Sequence, residues 1–240
     1  MRGTWATAIR VLAQLRHDKR SMALILVLPC VIVAVVAWMF SGTPVLNHYG
    51  PFLVGFFPLF VMFLVTSVAT LRERTSGTLE RVLTTSLRKG ELVAGYLLAF
   101  GSLSVVQALL VTGFAVAVGM SVAGLLALVV VIALMSAVLG CALGLAASAV
   151  ARTEFQAVQM MPLIIIPQLF TCGLFMPRAS MPGVLYAISK VAPLTYSVEA
   201  MQSLAAGGGW AHVRWDMAVI FAWIVGSVVL GVVSLRRRTA

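Results

Sequence analysis

The chain has 240 residues, of which 61% are hydrophobic and only 10% charged, far below the roughly 25% charged residues of an ordinary globular domain. That balance excludes a soluble enzyme or binding module and describes an integral membrane protein. The net charge of +10 would point to nucleic acid in a soluble chain; here it asks which loops carry the Lys and Arg side chains, and nucleic acid is not an expected partner.

The N-terminal segment, 1–20, places Trp5, Ile9, Leu12 and Leu15 at helical spacing with Arg10, Gln14, His17 and Asp18 on other faces. This predicts an interfacial helix, either an elbow beside a partner or a positive-inside anchor. Six apolar runs follow, roughly Ser21 to Phe40, Phe52 to Leu71, Leu92 to Val118, Ala123 to Val150, Ala157 to Leu174 and Met217 to Leu235. Runs of about 20 residues span the hydrocarbon core, and in lipid they must be helical to satisfy their own backbone groups. The expected fold is an all-α integral membrane protein of six transmembrane helices in a single domain over 1–240. The first run is longer than a signal-peptide core of about 7 to 15 residues and no small-residue cleavage site follows Phe40, so it is expected to be retained.

The Lys and Arg residues are one-sided. Five precede the first span, five lie between Arg72 and Lys89, one is Arg152 and three are in the C-terminal tail; the other side holds only Arg178, Lys190 and Arg214. Both termini are therefore expected in the cytoplasm, and an even number of spans requires the same.

Between spans one and two, Ser41 to Gly50 carries no Lys or Arg. The loop at 72–91 is dense in charge. Within it Leu79, Val82, Leu83 and Leu87 share one helical face, with Thr75 or Ser76 placed to cap the start and Glu80 in the first turn. Span four repeats a small residue every fourth position, Ser136, Gly140, Gly144 and Ser148, which lets another helix approach closely. Pro162 and Pro167 are expected to break span five. The stretch 175–210 is apolar but punctuated by Pro177, Pro182 and Pro193, and predicts two short re-entrant helices in the outer leaflet, buried near a pathway mouth.

Candidate chemistry is sparse. There is no G-x-x-x-x-G-K-[S/T] loop, so the chain is expected to have no ATPase site or bound cofactor of its own. His17, His48 and His212 lie in separate segments, and Cys30, Cys141 and Cys172 are an odd, scattered set, which predicts neither a metal site nor a disulfide framework. Every Asp and Glu falls at a span end or in a loop, against an ion-coupled carrier. Phe57 and Met62 in span two, with Gln159 and Gln168 in span five, are candidate pathway residues for a hydrophobic or amphipathic solute; Gln107 is a further polar residue at depth, with helix-to-helix bonding as the plainer role for any such amide.

The run Arg72-Glu73-Arg74-Thr75-Ser76-Gly77-Thr78-Leu79-Glu80-Arg81, then Leu83-Thr84-Thr85 and Gly95-Tyr96, resembles the signature of ABC-2 type permeases, in particular the daunorubicin-resistance-like branch of drug exporters. Pro167-Gln168-Leu169-Phe170, Gly173-Leu174-Phe175, Met181-Pro182 and Ala192-Pro193-Leu194-Thr195-Tyr196-Ser197-Val198-Glu199-Ala200 resemble that family's fifth span and outer re-entrant helices.

The resemblance implies that the loop between spans two and three holds a cytoplasmic coupling helix, with Glu73, Arg74, Gly77, Thr78, Leu79, Glu80, Arg81 and Leu83 meeting a separate ATP-binding cassette ATPase. It implies a second permease subunit, identical or not, ATP and Mg held by the ATPase partner, and an outer motif formed by Pro177, Pro182, Pro193, Tyr196 and Glu199. Ser86 departs from the family's frequent proline after the paired Thr. The implied function is export of a drug, secondary metabolite or lipid-like molecule across the inner membrane of a prokaryote. Polysaccharide or glycolipid export, and a non-transporting membrane anchor for a cytoplasmic protein, are the alternatives.

Overall fold

The computed structural model describes residues 2–41, 43, 45–76 and 89–234, and every regular element among them is helical. In chain order they are α1 (Arg2–His17), α2 (Lys19–Met39), α3 (Val45–Thr75), α4 (Lys89–Ala117), α5 (Leu126–Val150), α6 (Glu154–Thr171), a 3-10 turn (Arg178–Ser180), α7 (Gly183–Val191), α8 (Pro193–Ala205) and α9 (Trp210–Ser234). Five helices, α2, α3, α4, α5 and α9, are long and apolar enough to cross a membrane. Helix α6 has 18 residues, long enough at ~1.5 Å per residue to approach the ~30 Å core, but Glu154, Gln156, Gln159, Gln168 and two prolines make it less apolar.

Helix α3 is the axis of the bundle. It has 31 residues, most of them buried, and its broadest contact is with α5. The small-residue stripe explains that contact: a Cβ on Gly140 would collide with the Leu59 backbone, and one on Gly144 would stand 2.6 Å from the Phe63 carbonyl oxygen. The backbones touch there because no side chain intervenes. Ser136, at the other end of the stripe, donates to Ser197 Oγ of α8 at 3.1 Å. Helix α8 is accordingly a core element, with Leu194, Val198, Met201 and Leu204 buried against α3, α5 and α9, whereas of α7 only Ser189 is buried. Outward, α2 and α9 present Val27, Val31, Val35, Phe221, Val225 and Val229, the apolar faces a lipid surround requires.

Three sequence expectations change in detail. Helix α3 starts at Val45, inside the segment read as a loop to Gly50; its polar start is used, since Asn47 Oδ1 accepts from the Ser121 N–H of the turn after α4 at 2.9 Å. Helix α6 runs through Pro162 and Pro167 without a break. Gln168 Nε2 donates to the Ile164 carbonyl at 2.9 Å and Thr171 Oγ1 to the Pro167 carbonyl at 3.0 Å, so side chains add bonds within the last turns of the helix. On α1 the residues packed inward are Ala8, Val11 and Leu15, with Trp5 and Ile9 exposed, because the helix lies on α4 at Gly95, where a Cβ would stand 2.6 Å from Thr7 Cβ.

Gln107 is fully buried and donates to the Ile25 carbonyl of α2 at 3.1 Å. That carbonyl lacks its usual partner, since Pro29 sits four residues on and has no N–H. We expect Gly140→Ala to lower the stability of the detergent-purified protein by about 1–3 kcal/mol through overpacking, read as a drop in Tm. Gln107→Leu should cost about 1 kcal/mol, and the cost should shrink in a Pro29→Ala background, where Ile25 regains a backbone donor; an equal cost in both backgrounds would refute the pairing.

Candidate functional site

Three consecutive charged residues at the end of α3 leave the helix in different directions, as 100° per residue requires, and each is held by a different neighbour. Arg72 makes a bidentate bond to Glu154 at the start of α6, with Nε to Oε1 at 3.0 Å and Nη2 to Oε2 at 3.1 Å. The arginine hydrogen bond keeps Glu154 below the usual carboxylate range. Glu73 accepts both Arg10 Nη groups of α1 at 2.9 Å each, and its Oε2 also accepts from the Tyr96 hydroxyl of α4. Arg74 donates to the Ser148 carbonyl in the last turn of α5, where helix carbonyls lack backbone partners and the dipole favours a cation.

The first of these contacts differs in weight from the middle one. The Arg72 and Glu154 side chains are 62% and 47% exposed, so that pair is solvent-screened and worth little. Glu73 is only 12% exposed and Tyr96 is fully buried, so the Arg10–Glu73–Tyr96 group is a partly desolvated polar knot joining α1, α3 and α4. Burial alone would lower the Arg10 guanidinium, but the Glu73 hydrogen bond and charge raise it above its ordinary value.

Of the loop residues expected to meet an ATPase, Glu73 is in this knot and Arg74, next to it, is bonded to the Ser148 carbonyl. Gly77, Thr78, Leu79, Glu80, Arg81 and Leu83 lie outside the described residues. Arg10 and Tyr96 were missed as site residues: Arg10 reads as one charge among five in a basic segment, and only the bond to Glu73, 63 positions away, distinguishes it. Helix α6 starts on a reciprocal cap nearby, with Thr153 Oγ1 accepting from the Gln156 N–H at 3.2 Å and Gln156 Oε1 accepting from the Arg152 N–H at 2.9 Å.

The four pathway candidates do not converge. Phe57 and Met62 are buried in two different core clusters along α3, Gln159 is exposed on α6, and Gln168 is half-buried, its Oε1 accepting from the Leu194 N–H of α8 at 3.2 Å. The outer-motif residues do gather. Pro177 and Pro182 precede the 3-10 turn and α7, Pro193 opens α8, and Tyr196 donates to the Lys190 carbonyl at 2.6 Å. Arg178, missed in the sequence, is their hub: it bonds Glu199 at 2.5 Å and Ser189 at 3.2 Å and lies 5.7 Å from the Tyr196 ring centre and 6.0 Å from that of Tyr186. Among the described residues no group of His, Cys, Asp and Glu is placed to hold a metal ion.

Arg10→Ala, which strands Glu73, should lower stability by about 2–3 kcal/mol; Arg10→Ala combined with Glu73→Gln should recover part of it, because the stranded charge is gone. Thermal unfolding of the four purified forms checks this, and additive losses would dismiss the knot.

Residues 2–205 match the family model described as "ABC-2 type transporter". The chain is 27% identical over 178 residues to ABC transporter G family member 20 of Dictyostelium discoideum, covering 72% of this chain and 24% of that protein. It is 28% identical over 149 residues to the probable multidrug ABC transporter permease YbhS of Escherichia coli strain K12, covering 60% of this chain and 39% of that protein. The chain thus spans 24% to 39% of the length of these curated relatives. An all-helical bundle with long apolar helices, a charged junction at one end and a family match over most of its length together make this chain a member of the ABC-2 type transporter family.

Proposed function

We propose that this chain is the membrane permease subunit of an ATP-binding cassette exporter, driven by a separate ATPase subunit that holds ATP and Mg. The observation that carries the reading is the junction at the base of the charged loop, where Arg72, Glu73 and Arg74 fasten α3 to α6, α1, α4 and α5 within three residues of chain. A push on residues 77–88 enters the bundle at α3 and is shared at once among the helices tied to its end. An anchor that merely recruits a cytoplasmic protein needs no such distribution.

In this reading the loop end faces the cytoplasm, both termini lie there, and α6 is the sixth span, in the inner membrane of a prokaryote. Glu80, Arg81 and the Leu79–Leu83 face meet the ATPase. A second permease subunit completes the pathway, lined in part by Gln159 and the exposed apolar face of α6. The cargo is a hydrophobic or amphipathic molecule of the drug or secondary-metabolite kind, in keeping with the multidrug permease named among the relatives and with the resemblance to the daunorubicin-resistance-like branch.

Co-purification with the candidate ATPase tests the reading. The wild-type chain should retain the ATPase, and Glu80→Arg should weaken retention about thirtyfold, the effect of losing a central contact worth about 2 kcal/mol, with Gly77→Pro behaving alike. Both variants must insert at the wild-type level. Retention of the ATPase by both variants would remove the coupling role from this loop.

A further inference from the structure

The end of the bundle away from the charged loop has a firm half and a loose half. The firm half is bonded turn to turn. Gly124, between α4 and α5, donates its N–H to the Leu204 carbonyl of α8 at 2.9 Å, and a Cβ there would stand 2.6 Å from that oxygen. The loose half is the 3-10 turn and α7. Of the nine residues of α7 only Ser189 is buried, and polar contacts tie the helix to α8. Arg178 Nε donates to Ser189 Oγ at 3.2 Å while its Nη1 holds Glu199 at 2.5 Å, and Tyr196 donates to the Lys190 carbonyl at 2.6 Å. A second carboxylate stands beside this hub. Asp216 of α9 is half-buried and shares a helix face with Val213 and Ile220, both fully buried, so it is turned toward the bundle. It is near enough to Glu199 and Arg178 to feel both charges. Among the described residues it has no hydrogen bond or ion pair, His212 and Arg214 of its own helix included. Lys190 is directed elsewhere, with its ammonium 4.4 Å from the Tyr186 ring centre.

We propose that Arg178 is a latch with two seats: on Glu199, as here, it pins α7 through Ser189, and on Asp216 it gives up Ser189 and α7 lifts from the bundle. One guanidinium serves one of two neighbouring carboxylates, and the carboxylate it leaves is unpaired at partial burial, which is costly in either state. The two seatings are therefore close in energy, the condition for an element that switches between discrete states. Glu199 is open enough to water to be left without the arginine. The seats themselves stay still, since α8 is held in the core and α9 packs along it. Exchange moves only the 3-10 turn and α7, whose exposed faces give up little contact when they lift. In the exporter reading α7 lies at the outer mouth and its release lets cargo leave; that role rests on the proposed function, whereas the latch does not.

The test uses the one buried residue of α7 as its reporter. In a background with Cys30, Cys141 and Cys172 replaced by Ala, Ser189→Cys is labelled with a water-soluble maleimide in nanodiscs, where both membrane faces meet the reagent, and Lys190→Cys gives the rate for an exposed position. Ser189→Cys should react more slowly than Lys190→Cys. Adding Glu199→Gln, which leaves Arg178 on Asp216, should speed the reaction about tenfold, the effect of losing a charged hydrogen bond partly shielded from water. Adding Asp216→Asn, which removes the second seat, should slow it about as much, and slower labelling cannot come from a damaged fold. In an Arg178→Gln background Asp216→Asn should change nothing further. The proposal is overturned by equal rates for Ser189→Cys and Lys190→Cys, by no effect of Glu199→Gln, or by an unchanged or faster rate in Asp216→Asn, the faster rate meaning that Arg178 ties both carboxylates at once. Labelling of Lys190→Cys with an impermeant reagent in intact cells and in inside-out vesicles reads which face carries α7, so an error in the exporter orientation is seen separately from an error in the latch.

Discussion

The Arg10–Glu73–Tyr96 knot is the contact on which the loop end of this protein depends. One carboxylate takes three hydrogen bonds from two helices, α1 and α4, and it is nearly excluded from water. A charge so placed is stable only while its partners remain, since an unpaired buried carboxylate costs more than the bonds return. Arg72 and Arg74, one residue to each side, extend the same arrangement to α6 and α5. The end of α3 cannot shift without stretching bonds to α1, α4 and α5, while its solvent-exposed bond to α6 holds weakly.

Along its length α3 is held differently. Near Gly140 and Gly144 the attraction to α5 is dispersion between backbones at contact distance, which is what remains when apolar burial offers no advantage over lipid. Polar groups are used where proline has removed a backbone donor, as Gln107 shows by reaching the Ile25 carbonyl. The bundle is therefore stiff in its middle by close packing and at its loop end by charge.

The opposite end has its own polar hub. Arg178 joins the 3-10 turn to α7 through Ser189 and to α8 through Glu199, while Gln168 binds α8 to α6. The Arg178 and Glu199 side chains are 19% and 35% exposed, against 30% and 12% for Arg10 and Glu73, so the arginine is the more buried partner at one end and the carboxylate at the other.

The helical membrane class, the positions of the long apolar runs, the charged loop and the close approach at Gly140 were all legible in the chain, because each depends on composition, on 3.6-residue periodicity or on the size of one side chain. The family signature likewise lies in local runs of residues. What tertiary structure alone decided is which distant groups meet: Arg10 with Glu73, Arg72 with Glu154, Arg178 with Glu199, and Leu24 with Phe100 around one cavity. It also decided that Trp5 and Ile9 face outward and that Gln107 answers Pro29. The physical reason is common to all of these. A helix sequence states which faces are apolar, but a hydrogen bond between residues tens of positions apart depends on the rotation and offset of two helices, and those are settled only when the whole bundle packs.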